Sequence, residues 1–154
     1  MDHPYSRLRQ RRGAEHAEGY GTTSLNWGSH SEGFNTLAEG RYSHTENHST
    51  IAGFCAHAEG QQTVAIGQWS HTQNFGGAAT ANFSTALGNS TVPAIEVLGN
   101  ELNLTNPTYV KQSWAKNKFL LAGGTASLAG GENTLALGRG SIAMGNRNAS
   151  NGDY

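Results

Sequence analysis

The sequence predicts an all-β fold, a parallel β-roll in which short strands stack coil upon coil. The first observation is composition: 36% of residues are hydrophobic and 14% charged, against roughly 45–50% and ~25% in ordinary globular domains. The second is a high glycine content, 21 of 154 residues, in a chain whose net charge of −1 and whose 3 Trp, 5 Tyr and 5 Phe argue against disorder. The third is an internal repeat. Together they exclude a helical bundle and a doubly wound α/β enzyme.

The repeat is clearest in its histidines, which recur every 13 or 14 residues at His16, His30, His44, His57 and His71. Around them the sequence repeats, as in Ser29-His30-Ser31-Glu32-Gly33 and Ala56-His57-Ala58-Glu59-Gly60. Such self-similarity at a fixed period indicates a repeat architecture.

A second series lies halfway between the histidines. Its units are Thr36-Leu37-Ala38-Glu39-Gly40, a shortened Thr50-Ile51-Ala52-Gly53, and Thr63-Val64-Ala65-Ile66-Gly67. The same pattern returns at a spacing of seven as Ser127-Leu128-Ala129-Gly130-Gly131, Thr134-Leu135-Ala136-Leu137-Gly138 and Ser141-Ile142-Ala143-Met144-Gly145.

Strand alternation gives this pattern a structural meaning. Positions 1 and 3 of each unit are almost always Ser, Thr or Ala and share one face, whereas positions 2 and 4 share the other. Position 5 is Gly or Asn, which tolerate a turn with positive φ. We therefore predict 14-residue coils of two strands and two turns, with the small residues filling a thin interior.

The outward positions of alternate strands are apolar, and a contiguous apolar stripe along a solenoid usually marks an interface. We expect these stripes to meet at a rotational symmetry axis. The alternative is that the side chains are simply exposed. The predicted interface residues are Leu37, Ile51, Val64, Ile66, Leu135, Leu137, Ile142 and Met144.

Units such as Thr63-Val64-Ala65-Ile66-Gly67, Ser84-Thr85-Ala86-Leu87-Gly88 and Ser141-Ile142-Ala143-Met144-Gly145 resemble the head repeats of trimeric autotransporter adhesins. The Ser-His-Ala-Glu-Gly style units look like the variant in phage tail-fibre and bacterial surface proteins. The resemblance covers about residues 15–92 and 121–152, and it implies a left-handed parallel β-roll that assembles as a homotrimer.

The pattern divides the chain into four parts: a basic arm (1–14), β-roll repeats (15–92), an insertion (93–118) and a second β-roll segment (119–154). The insertion contains Pro93 and Pro107, which a β-ladder tolerates poorly. Residues 95–104 read as a β-hairpin with a Gly99-Asn100 turn. The insertion is either a receptor-facing or subunit-locking loop, or a spacer.

Aromatic residues precede the first residue of several units, and these are the candidate receptor contacts. They could stack on sugar rings, or they could pack turn on turn. The candidates are Tyr42, Trp69 and Phe83, together with Trp114 of the insertion.

The histidine and glutamate columns suggest zinc, but a metal site needs converging ligands and a flat ladder is expected to diverge. We therefore expect no metal and no other cofactor, and a solvated polar face instead. A roll of tiny inward residues offers no pocket, so we expect no catalytic residues and no enzyme activity.

Arg7, Arg9, Arg11 and Arg12 lie near the start without an apolar segment, so we expect no secretory signal peptide. No apolar run is long enough to insert in a membrane, and the acidic character of residues 15–92 disfavours nucleic acid. We expect a phage tail fibre or surface appendage protein involved in host attachment. Larger virion or appendage proteins would bind the N-terminal arm, and a host glycan or protein would be the receptor. The alternative is a glycan-binding adhesin head, and an enzyme is a third reading.

Overall fold

A computed structural model describes residues 13–91 and 120–153 of the chain. Within these ranges every regular element is a β-strand and no helix occurs. The predicted all-β class and the solenoid architecture are confirmed: short parallel strands stack into a roll of about eight coils. None of the described residues forms a helix of the length and apolarity needed to span a bilayer.

Each coil contributes two strands. Those of the first five coils are β1 (His16–Tyr20), β2 (Thr23–Ser24), β3 (His30–Phe34), β4 (Leu37–Ala38), β5 (His44–Thr45), β6 (Ile51–Ala52), β7 (His57–Ala58), β8 (Val64–Ala65), β9 (His71–Phe75) and β10 (Ala78–Ala79). The remaining strands are β11 (Thr85–Asn89), β12 (Leu121–Ala122), β13 (Leu128–Glu132), β14 (Leu135–Ala136), β15 (Ile142–Asn146) and β16 (Ala149–Ser150).

The strands form two parallel sheets of eight. We call the sheet of odd-numbered strands sheet A and that of even-numbered strands sheet B. The register brings equivalent repeat positions together: in sheet A, His30 pairs with His44 and His57 with His71, and in sheet B, Leu37 pairs with Ile51. Sequence repetition therefore becomes columns of like side chains running along the roll.

The shortened third coil does not disturb this register. His44 still pairs with His57, and the Cys55 amide donates to the Arg41 carbonyl at 2.9 Å. The missing residue is therefore absorbed at the turn, where Gly53 follows Ala52 directly and leads into Phe54.

The interior holds the small residues, as the alternation predicts. Ala52, Ala58 and Ala65 are fully buried in one cluster. A second buried cluster contains one large residue, Leu120. Its side chain lies beside Gly77, the glycine of the neighbouring coil, so the larger group occupies space that the smaller one leaves open.

Buried hydroxyl groups explain why the first position of a unit is Ser or Thr. In sheet B, Thr36, Thr50 and Thr63 each donate to the carbonyl of the glutamate four residues earlier, at 3.0–3.1 Å. In sheet A, Ser43 and Ser70 each donate to a glycine carbonyl three residues earlier, at 2.6 and 2.7 Å. Each hydroxyl thus satisfies a turn carbonyl from inside the roll, where no water is needed.

The roll continues across the insertion. Asn89 pairs with Phe75 and Leu121 with Ala78, so Ser90 and Leu120 take adjacent positions of one coil. The Leu120 amide donates to the Ser90 hydroxyl at 2.8 Å and joins the two ends. The predicted hairpin of residues 95–104 lies outside the described residues, as does the basic arm apart from its last two positions.

Replacement of Gly33 by alanine is expected to destabilise the roll. Gly33 has φ of 102°, and a methyl group there would overlap the carbonyl oxygen of Asn47 in the next coil. The backbone conformation alone costs an L-residue about 1–3 kcal/mol. Thermal unfolding followed by circular dichroism measures the effect. Gly152→Ala is the matched control, because a methyl group at Gly152 meets nothing within 4 Å. Equal melting temperatures for the two variants would contradict the described turn.

Candidate functional site

The filled interior leaves the outer surfaces to carry function. Three of them differ in chemistry: the outer side of sheet A, the outer side of sheet B, and the edge of turns that leads from each sheet B strand into the next sheet A strand. The register of the sheets decides which side chains share each surface.

The first surface, which we call the polar face, is the outer side of sheet A in the first five coils. It carries one column of histidines beside one column of acidic or amide side chains. The columns are His16, His30, His44, His57 and His71, and Glu18, Glu32, Glu46, Glu59 and Gln73.

The histidine rings form a continuous stack. His30 and His44 lie 4.8 Å apart between ring centroids and within 3° of parallel, and His44 and His57 lie 4.7 Å apart within 1°. His71 continues the stack at 5.1 Å, whereas His16 meets His30 edge-on at 5.0 Å and 61°. The ring spacing follows the strand spacing of a parallel sheet, about 4.8 Å, so the backbone ladder sets the distance between the rings.

In three histidines of the stack, the Nε2 atom lies toward the glutamate of the preceding coil. The Nε2 atom of His57 lies 3.3 Å from Glu46 Oε1, and that of His71 lies 3.3 Å from Glu59 Oε1. His44 Nε2 is 4.0 Å from Glu32 Oε1 and, although buried, has no hydrogen-bond partner among the described residues. Side chains of adjacent coils therefore approach to 3.3 Å at two points on this face.

The same two columns lose their ionisable groups in the last three coils. The histidine column continues through Thr85 and Leu128 to Ile142, and Met144 ends the glutamate column. Ile142 and Met144 are 62% and 55% exposed. This placement corrects the single apolar stripe expected from the sequence: Ile142 and Met144 lie on sheet A, and the other six predicted interface residues lie on sheet B.

The second surface, the apolar face, is the outer side of sheet B. Its strands contribute Leu37, Ile51, Val64, Leu121 and Leu135, and Ile66 and Leu137 directly follow β8 and β14. Leu37, Ile51, Ile66 and Leu137 are half-buried within a single chain. Val64 and Leu135 are already buried, at 2% and 4% exposure. The expectation that this stripe is wholly uncovered in one chain is therefore corrected, and the half-buried members are the ones with surface left to cover.

The third surface, the aromatic edge, comprises Trp27, Tyr42, Phe54, Trp69 and Phe83 on successive coils. All but Phe54 are about half exposed. Trp69 stacks on Phe83 with centroids 4.9 Å apart and 3° between planes, and its other neighbour is Phe54, edge-on at 5.7 Å.

Three of these aromatics have a left-handed backbone: φ is 56° at Tyr42, 55° at Trp69 and 58° at Phe83. That region is uncommon for bulky residues, and Gly28 and Gly140 occupy the same turn position in other coils. Cys55 and Ala126 take the same position with φ of 51° and 57°, so the turn requires neither glycine nor a ring. The aromatic residues differ from these by their half exposure and by the stack of Trp69 on Phe83.

Comparison with protein-family models, curated proteins and solved structures finds no match. The case for function therefore rests on the geometry of these three surfaces.

A further aromatic row lies at the opposite turns. Tyr20 stacks on Phe34 at 5.1 Å, and Phe34 stacks on His48 at 5.1 Å. A shallow open groove of about 430 Å³ lies nearby, lined by Glu18, Gly19, Glu32, Gly33 and Asn47. Sequence reasoning missed this row because the aromatic residue follows the Gly or Asn of the unit rather than preceding a unit.

Sequence reasoning placed Tyr42, Trp69 and Phe83 on one edge, and the structure brings them there. It missed Trp27 and Phe54, which lie one residue earlier in their coils, beside Gly28 and Cys55 at the left-handed position. The available signal was the presence of an aromatic residue anywhere in this two-residue turn. The fourth candidate contact, Trp114, lies outside the described residues.

Replacing Phe83 tests whether the left-handed backbone and the ring stack are separate contributions. Phe83→Asn introduces a residue that tolerates positive φ and removes the stack on Trp69, worth about 0.5–1.5 kcal/mol. Phe83→Ala removes the same ring and retains the left-handed backbone cost of about 1 kcal/mol that Phe83 itself carries. We expect Phe83→Ala to melt at a lower temperature than Phe83→Asn, because only asparagine relieves that cost, and tryptophan fluorescence to become more accessible to quencher in both variants. An alanine variant as stable as the asparagine variant would contradict the described turn.

Proposed function

We propose that the chain is a non-enzymatic segment of a homotrimeric fibre, a stiff rod in a phage tail fibre or comparable surface appendage that serves host attachment. The observation that carries this proposal is the parallel ladder of about eight coils, with an interior filled by small side chains. Each coil is hydrogen-bonded to both neighbours, so stability and stiffness accumulate along the axis.

The apolar face supports association through sheet B. Leu37, Ile51 and Ile66 are outward, half-buried and close together on consecutive coils. Burying apolar surface contributes about 25 cal/mol per Å², so covering these side chains favours contact between copies. The polar face of sheet A carries ionisable groups in the first five coils and is the less suitable surface for a dry interface.

Two finer features of the proposal, the left-handed winding and the trimeric symmetry, follow the resemblance to trimeric autotransporter adhesin heads. The coil length of 14 residues follows from the spacing of the repeats, and the inserted hairpin between the two roll segments follows from the Gly99-Asn100 turn. In the same proposal the basic arm of residues 1–14 joins the rod to a larger virion or appendage protein, and host surface glycan or protein is the receptor.

Light scattering of the purified chain tests the assembly. The expected mass is three times the 16.3 kDa of one chain. Ile66→Asp places a charge in the apolar face and is expected to dissociate the trimer, because an unpaired buried charge is costly. Ile142→Asp makes the same change on sheet A and is expected to leave the mass unchanged. A native chain with the mass of a monomer, or equal dissociation by both variants, contradicts the proposed interface.

A second candidate function, a glycan-binding adhesin head, is favoured by the aromatic edge. Phe83 stacks on Trp69 with one ring face, and the next coil carries only Ala126 at the same turn position. The outer face of the Phe83 ring therefore has no aromatic neighbour at this position. A flat, half-exposed aromatic surface of this kind suits an apolar sugar face.

A glycan array probed with the full chain separates the two functions, since a passive shaft is expected to bind nothing. If the native chain binds, Phe83→Asn is expected to abolish binding while the trimer mass stays unchanged. Gln68→Asn, which alters an exposed side chain beside the edge, is the control and is expected to bind as the native chain does. If the Phe83→Asn variant still binds the glycan, the aromatic edge is not the surface that determines glycan specificity.

A further inference from the structure

We infer that the polar face binds two divalent transition-metal ions of the zinc type per chain. One ion is held by His16, Glu18 and His30, and the other by Glu46, His57 and Glu59. In each group the three ligand atoms all lie within 4.8 Å of one another.

The distances suit a tetrahedral ion. Zinc bonds to nitrogen and oxygen are about 2.0–2.2 Å long, so two ligand atoms of a tetrahedral site lie about 3.3–3.6 Å apart. His57 Nε2 and Glu46 Oε1 are 3.3 Å apart, and so are His16 Nε2 and Glu18 Oε2. In each group, two ligand atoms therefore already have the separation of a tetrahedral site. Rotation about side-chain torsions can bring the third ligand atom to the ion.

The fold fixes the imidazole of the second group before any ion arrives. The His57 ring stacks on His44 at 4.7 Å and on His71 at 5.1 Å, so its plane is set from both sides. Glu46 belongs to the coil before His57, and Glu59 belongs to the same coil as His57. The two carboxylates therefore reach the imidazole from adjacent coils.

The stacked rings alone do not bind an ion. Two ligand atoms of one zinc ion can lie at most about 4.2 Å apart, twice the bond length. The parallel rings are 4.7–5.1 Å apart along the stack, so adjacent imidazoles pointing the same way are too far apart to share an ion. A carboxylate must therefore complete each site. At His57 this carboxylate is that of Glu46, whose Oε1 atom lies at the tetrahedral distance from Nε2.

The polar face has two sites, rather than one at every coil, because further sites would have to share ligands. Among the described residues, Glu59 is the carboxylate paired with His71, at 3.3 Å, and Glu59 already belongs to the second group. The column position beside His71 is Gln73, which brings no charge. In the intervening pair, His44 Nε2 and Glu32 Oε1 are 4.0 Å apart, and among the described residues they belong to no group of three ligand atoms within 4.8 Å of one another.

The ligand chemistry selects the class of ion. Imidazole nitrogen with carboxylate oxygen suits zinc and cobalt, whereas calcium and magnesium prefer oxygen ligands throughout. In the second group the two carboxylates neutralise the charge of a divalent ion. The side chains of Glu46, His57 and Glu59 are only about a quarter to a third exposed, which strengthens that attraction.

Isothermal titration of the untagged full chain with zinc chloride tests the inference, with cobalt absorption as a second readout of tetrahedral geometry. We expect His57→Gln and Glu46→Gln each to lose one equivalent of zinc relative to the native chain, and His16→Gln to lose the other. Comparison between variants cancels zinc held elsewhere, for example at His3 outside the described residues.

Two control variants remove the same chemical groups away from the sites. His48→Gln removes a histidine that stacks on Phe34, and Glu39→Gln removes an exposed carboxylate next to β4 of sheet B. Both are expected to bind as much zinc as the native chain. Circular dichroism confirms that each variant retains the β-roll. A native chain that takes up no zinc, or folded His57→Gln and Glu46→Gln variants that bind as the native chain does, overturns the inference.

Discussion

The narrow interior is the constraint on which the rest of the structure depends. The inner sides of the two sheets approach so closely that Ala, Ser and Thr fill nearly all of the space, and Leu120 fits beside the bare backbone of Gly77. Because larger side chains have little room inside, nearly all of those on the described strands point outward. The hydrogen-bond ladder then arranges them in columns. The charged, aromatic and large apolar side chains of the described coils therefore lie mainly on the outer surface.

The turns impose a second demand, a left-handed backbone in every coil. At most such positions the chain uses residues suited to it, such as Gly28 and Asn35. At Tyr42, Trp69 and Phe83 it places aromatic rings instead, and two of them stack. The aromatic edge therefore combines a left-handed backbone with half-exposed, partly stacked rings.

The outer faces show how one ladder can carry different chemistry along its length. On sheet A the columns begin with His16 and Glu18 and end with Ile142 and Met144. Sheet B has an apolar column from Leu37 onward. Because the register between coils is constant, a different residue at one repeat position changes the outer surface of its own coil and of no other coil. Separate surfaces for assembly, recognition and ion binding can therefore coexist on one rod.

The sequence by itself determined the class of fold, because period and strand alternation are local properties. The spacing of the histidines and the small residues at positions 1 and 3 were enough to predict stacked coils with a filled interior. The histidine and glutamate columns of sheet A could also be predicted as far as His71, since the repeats there are unbroken.

Only the tertiary structure decided which sheet each later unit joins. Ile142 and Leu135 have the same local pattern, and they lie on different faces because the coil count across the insertion sets their sheet. Only the structure could show that Val64 is already buried, or that His57 reaches Glu46 in the preceding coil. These properties depend on distances between coils and on the direction of side chains, which no single repeat encodes.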